Sequence, residues 1–235
     1  MKKLSVDIWS DIACPWCYVG KRRLEAALAR FPQRDNVEVT WRAFELDTSA
    51  PREQSGDVSY ARRLANKYGS SIAQAEESIA RMTEVARGDG LDFRFDRIRP
   101  GNTFDAHRIL HLAHEEGVQD ALKERLLLAY MTEGECMGDP ATLVRLSAEV
   151  GLDRDRVQAT LTSGAFASEV RHDQAEARRL GVQGVPFFVF GGALAVSGAQ
   201  PSALIERALG EAWRQHEAQP LVLEEGASCG PDGCA

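Results

Sequence analysis

Lysine is scarce in this chain. Lys2, Lys3, Lys21, Lys67 and Lys123 are the five among 28 basic residues, the others being arginine. That bias reads as base composition rather than as a recognition device. Acidic residues number 35 and the formal net charge is −7. A surface of that sign repels a phosphate backbone, so no nucleic-acid partner is expected. Long hydrophobic runs are missing too: no segment approaches the roughly eighteen apolar residues that a bilayer-spanning helix needs. The opening MKKLSVDIWSDIACPW sets Asp7 and Asp11 where a secretory leader would carry its apolar stretch. The sequence therefore reads as that of a cytoplasmic protein with no membrane partner. Cysteine is also sparse, at five: Cys14, Cys17, Cys136, Cys229 and Cys234. In a reducing compartment such thiols serve redox or metal chemistry more often than structural bridges. The odd number leaves at least one thiol without an internal partner.

What is present suits a soluble globular chain, with 44% hydrophobic and 27% charged residues over 235 positions. Leu4 to Ser10 alternates apolar and polar residues and reads as a strand. CPWC follows, then helical spacing from Tyr18 to Arg30 closed by Pro32, then a second strand over Val37 to Leu46. From about Ser59 to about Leu180 the signals are helical. Ser71 with Gln74 makes a capping box, Asn102 caps the stretch TFDAHRILHLAHEE, and Asp139-Pro140 opens a helix that Gly151 ends. Gly184-Val185-Pro186-Phe187-Phe188-Val189-Phe190 reads as a buried strand, Gly191-Gly192 as a hairpin turn, Leu194 to Ser197 as the return strand, and Pro201 opens a last helix to about His216. The order is β-α-β, a helical insertion, then β-β-α. The boundaries drawn are 1–55 and 181–216 for the two parts of an α/β unit, 56–180 for the inserted helices, and 217–235 for a linker and flexible tail.

Cys14-Pro15-Trp16-Cys17 lies where strand becomes helix, and that placement suits redox chemistry. A thiolate attacks disulfides, and the unpaired N–H groups at a helix N-terminus favour a thiolate there. With Cys14 as the N-cap, its sulfur can accept from the N–H of Trp16 or Cys17, and Pro15 falls where a missing N–H costs nothing. Cys14 is then the attacking thiol and Cys17 the shielded, resolving one. The same CxxC also serves as half a zinc site, completed by His107 and His111 or by Cys229 and Cys234. The tail Cys229-Gly230-Pro231-Asp232-Gly233-Cys234 suits a type I turn that brings its two cysteines within disulfide reach. Cys136, beside the Asp139 cap, reads as a packed, inert thiol.

DIACPWCYVGKRRLEAAL, the NTFDAHR stretch and GVQGVPFFVF together resemble the DsbA family, and most closely its FrnE-like branch, over roughly residues 4 to 216. The resemblance implies a thioredoxin-like fold with an inserted all-helical domain, a cis peptide between Val185 and Pro186, and a substrate backbone held beside Pro15, Trp16, Val185 and Pro186. It places Asn102, His107 and Arg108 near the catalytic cleft, with Arg108 available to acidic substrate groups. It implies cytoplasmic thiol–disulfide oxidoreductase or isomerase activity, with protein or small-molecule thiols and disulfides, glutathione among them, as partners. It also implies a second C-x4-C redox pair at Cys229 and Cys234. No cofactor or metal is expected. Two positions depart from relatives. Trp16 stands where periplasmic members have histidine, and Ile8 stands where many thioredoxin-fold enzymes bury an acid, so Asp7 and Asp11 read as exposed or capping residues. Kappa-class glutathione transferases and hydroxychromene-carboxylate isomerases share the fold but usually carry serine for the first cysteine. Cys14 and Cys17 together weigh against them. A four-cysteine zinc or chaperone-like module is the third reading.

Overall fold

A computed structural model describes residues 3–53 and 58–218, together with the backbone of 229–230 and 233–234. Four strands form one mixed sheet in the order β2-β1-β3-β4. β1, Leu4–Ser10, lies in the middle because alternate residues Leu4, Val6 and Ile8 are fully buried on one face. β2, Val37–Ala43, pairs parallel to it from Leu4 opposite Val37 to Ser10 opposite Ala43. β2 ends three residues earlier than its pattern suggests, because Glu45 turns inward and accepts from Arg171 and Gln174. β3, Phe187–Phe190, runs antiparallel to β1, and β4, Leu194–Ser197, returns beside it. Their turn uses Gly191 and Gly192 at φ of +57° and +71°, the left-handed pair that a tight hairpin requires.

Two helices cover the Leu4–Val6–Ile8 face. α1, Pro15–Arg30, contributes Leu24 and Ala27, and α9, Ser202–Ala218, contributes Ile205, Leu209 and Trp213. Among the described residues, seven α-helices separate β2 from β3: α2 (Tyr60–Tyr68), α3 (Ile72–Gly88), α4 (Phe104–Glu115), α5 (Gln119–Leu128), α6 (Pro140–Glu149), α7 (Arg154–Thr162) and α8 (Ala167–Arg179). Ser71 and Gln74 form the capping box of α3, and Asp139 caps α6 ahead of Pro140. A π-helical turn, Ala129–Glu133, extends α5, a detail without a sequence signal. The helices build a second core around Ile109, Leu122, Leu126, Met131 and Leu146.

The two cores meet at α1 and at the outer edge of β2. Tyr18 and Val19 of α1 pack into the helical core, while Leu24 and Ala27 one to two turns later pack against the sheet. An open sheet edge presents unpaired backbone groups, and here the helices satisfy them. The Gln119 side chain accepts from the Trp41 N–H at 2.9 Å and donates to the Trp41 carbonyl at 3.0 Å. Asp173 accepts from the Ala43 N–H at 2.8 Å.

In the tail, the backbone of Cys229–Gly230 pairs antiparallel with Gly233–Cys234, which sets Cys229 opposite Cys234. The rest of the linker and tail reading, including the Pro231-Asp232 turn and both tail side chains, lies outside the described residues.

Candidate active site

The site begins where β1 runs out. Ser10 is its last residue, Asp11 to Ala13 turn the chain, and Cys14 caps α1 in an extended conformation with Pro15 at the first helical position. The reading that the Cys14 sulfur accepts a capping N–H is not what the geometry shows, for Cys14 makes no side-chain cap bond. Its Sγ instead lies 3.5 Å from the carbonyl oxygen of Val185. The Val185–Pro186 peptide is cis, and the Pro186 carbonyl is taken by the Gly198 N–H at 2.8 Å. Cys14, Val185 and Pro186, far apart in sequence, thus meet, with Cys14 and Pro186 buried, while Trp16, two residues on from Cys14, is exposed. Gly20 lets them meet: a Cβ there would stand 2.8 Å from Pro186 Cγ and 3.3 Å from Phe188 Cζ.

Cys14 is 5% exposed and Cys17 fully buried. The surroundings favour the charged form more at Cys17 than at Cys14. Burial opposes a charge there, but the Cys14 thiol, the Lys123 ammonium and the Ser10 hydroxyl together hold Cys17 below the ordinary thiol range. The hydrogen bond to Cys17 pushes Cys14 well above that range, with burial and the Cys17 charge adding to it.

Asp11 is the second correction. It is neither exposed nor a simple cap, but 1% exposed beneath the cysteines. Its carboxylate accepts from the Leu46 N–H at 2.8 Å and lies 3.4 Å from His107 Nε2. Burial alone would raise its pKa, but the His107 contact, the Leu46 N–H and Thr103 lower it below the ordinary carboxylate value. Asp7 is paired with Arg42 at 2.7 Å. His107 is buried one layer under the site rather than lining its surface. Arg108, expected to meet acidic substrate groups, is 4% exposed and spent within the fold: it donates to the carbonyls of Thr160, Ser163 and Ala165 and to Asp105. Asn102 accepts from the Phe104 N–H at 2.8 Å, bonds the Ala50 carbonyl, and so secures the start of α4. Cys136 is buried with its Sγ 3.8 Å from the Arg52 carbonyl. Among the described residues, no three His, Cys, Asp or Glu side chains converge as metal ligands.

Residues 5–210 match the DSBA-like thioredoxin domain. The chain belongs to that family. It is similar to a probable DsbA oxidoreductase from Streptomyces coelicolor, with 45% identity, a TM-score of 0.86, and coverage of 99% of this chain and 98% of that one. Two more distant structures share the fold at 18% identity and a TM-score of 0.62. The cytosolic disulfide reductase DsbM from Pseudomonas aeruginosa with GSH aligns over 89% of this chain and 99% of its own. A 2-hydroxychromene-2-carboxylate isomerase aligns over 91% and 98% respectively. At the level of the DSBA-like family, membership supports thiol–disulfide oxidoreductase chemistry. Within this DSBA-like frame, Lys123 is the residue that motif reading misses. Its signal was present in the composition: it is the last lysine of an arginine-biased chain, set between Leu122 and Leu126.

Proposed function

We propose that the protein is a cytoplasmic thiol–disulfide oxidoreductase or isomerase of the FrnE-like branch, working through Cys14 and Cys17 on protein or small-molecule disulfides. The observation that carries this reading is the Cys14 sulfur facing the Val185–Pro186 cis peptide, with Cys17 wholly buried beside it. As a substrate disulfide R–S–S–R′ arrives, Cys14 attacks as its thiolate. The S–S bond breaks, R′ leaves as a thiolate, and a Cys14–R mixed disulfide forms. Cys17 then attacks Cys14 Sγ, R leaves as a thiol with the Cys17 proton, and the enzyme is left oxidised while the substrate has gained two electrons. Two glutathione thiols, or the Cys229–Cys234 dithiol acting as a tethered partner at millimolar-scale effective concentration, return the pair to the reduced form and become a disulfide themselves. The opposed backbone of Cys229 and Cys234 favours such a pair. Because both Cys14 and Cys17 are present, resolution is intramolecular, which favours disulfide exchange over glutathione-dependent isomerisation.

Mixed-disulfide trapping tests it. A Cys17→Ser chain incubated with a disulfide peptide should accumulate a Cys14-linked adduct detectable by mass spectrometry, and Cys14→Ser should lose exchange altogether. In Cys17→Ser the tail should also be captured on Cys14. Adducts on Cys14 without any link to Cys229 or Cys234 would leave the exchange reading intact and remove the relay.

A further inference from the structure

Gly20 and Arg23, three residues apart, share one face of α1. Gly20 leaves Pro186 the room it occupies. Arg23 grips the loop that follows β4. Its Nη1 donates to the Ala199 carbonyl at 2.6 Å, while Nε and Nη2 each lie 3.0 Å from Asp89 Oδ2. Asp89 is the C-cap of α3, its N–H directed at the carbonyls of Val85 and Ala86. A carboxylate is disfavoured at the negative end of a helix, and the guanidinium offsets that cost. The two side chains are 20% and 22% exposed, so salt screens them less than it would a pair on the open surface. One residue before Ala199, Gly198 sits at φ +79° and its N–H donates to the Pro186 carbonyl at 2.8 Å. One residue after it, the Gln200 N–H returns to the Gly198 carbonyl at 2.9 Å and its side chain to that of Ser197 at 3.0 Å. The Ala199 side chain packs on the helical core. A short path of contacts thus runs from the end of α3 through Arg23 and the loop to the Pro186 carbonyl, one peptide on from the carbonyl that the Cys14 sulfur faces.

We propose that Arg23 is a positioning residue for the reaction: anchored on Asp89, it fixes the Gly198–Gln200 loop, and through the Gly198–Pro186 bond it sets where Pro186 stands against Cys14. This rests on the exchange reading above, with the substrate disulfide docking beside those two residues. Arg23 lies about two and a half helical turns from Cys14, so it acts through the loop rather than on the sulfur. The guanidinium suits the task because its N–H groups lie in one plane and point in fixed directions. One side chain therefore holds a carboxylate and a carbonyl at a set separation. A lysine ammonium would bring the charge without the fork. The effect falls on docking, and it depends on the substrate. A peptide disulfide lays its backbone along Pro186 and needs the loop in place. A small disulfide without peptide groups needs only the Cys14 sulfur. Because α3 supplies the anchor, the inserted helices take part in choosing the substrate.

The test is single-turnover reduction of two probes by the full-length reduced chain: a peptide closed by one disulfide, and hydroxyethyl disulfide. Alkylation and mass spectrometry of the segment holding Cys14 and Cys17 follow the reaction. Arg23→Met should raise the half-saturating peptide concentration about fivefold, with the limiting rate and the hydroxyethyl disulfide rate within about twofold of the unaltered chain. Arg23→Lys should recover less than about half of that loss. Asp89→Asn, which leaves Arg23 its bond to Ala199, should act in the same direction and less. In Arg23→Met the Gly198 amide should exchange with deuterium roughly tenfold faster. Thermal melting reports whether each variant folds, and should Arg23→Met not fold, Asp89→Asn decides by the same readouts. Equal slowing of both probes would make Arg23 a structural residue only. An unchanged peptide reaction would equally overturn the assignment, and both results leave the exchange reading standing. If the unaltered chain reduces neither probe, it is the exchange reading that fails.

Discussion

At the scale of single residues, three polar side chains are taken almost wholly out of water. Asp11, His107 and Lys123 are each at most 1% exposed, and none belongs to the CPWC motif that announces the site. Asp11 was visible in the sequence, but its burial was not, because a polar residue after a strand is ordinarily a turn residue. Its fate depends on the Leu46 N–H and His107 arriving from elsewhere. Since its pKa is lowered on folding, its charged form stabilises the native state. That contribution is complete above the ordinary carboxylate range near 4, and it fades as pH falls through the lowered value. Asp11→Asn should therefore cost about 1–3 kcal/mol at pH 7. The gap to the unaltered chain should close on acidification, as urea denaturation at the two pH values would measure. A constant gap across pH would mean that the charge of Asp11 is irrelevant to stability.

At the scale of elements, the contact between α1 and β3 holds the reactive surface together. Gly20 is near the start of α1, where alanine would ordinarily raise helix stability. Here the opposite is expected, because the added Cβ would press on Pro186 and Phe188. Gly20→Ala should destabilise by about 1–3 kcal/mol through overpacking and slow exchange by moving Pro186 away from Cys14. Gly88, at the end of α3, has open space around it. Gly88→Ala should leave melting temperature unchanged or raise it, and exchange rates unaffected. Equal effects from the two substitutions would remove the packing argument.

At the scale of the whole molecule, the helices and the sheet depend on one another. α1 gives Tyr18 and Val19 to one core and Leu24 and Ala27 to the other, while Gln119 and Asp173 complete the edge of β2. Separating the halves would expose those backbone groups and strip apolar cover from both. Unfolding in urea should accordingly be one transition, with tryptophan fluorescence and far-ultraviolet circular dichroism coinciding. An early loss of helical signal ahead of the fluorescence change would show that the inserted helices melt alone.

What the sequence determined by itself is local in origin. Alternation placed β1, capping residues placed α3 and α6, paired glycines placed the β3–β4 turn, and CPWC at a strand-to-helix junction marked the reactive thiols. Each of these signals acts within a few residues, through backbone sterics, hydrogen bonding or side-chain period, and so survives in a linear reading. The early stop of β2, the spending of Arg108 on three carbonyls and the depth of His107 depend on partners that arrive from distant elements. The same holds for the burial of Lys123. Its ammonium meets the Ser10 carbonyl, 113 positions away, and electrostatic effects in a buried site follow distance in space rather than in sequence. Only the tertiary structure takes that lysine out of water and sets it against the end of β1.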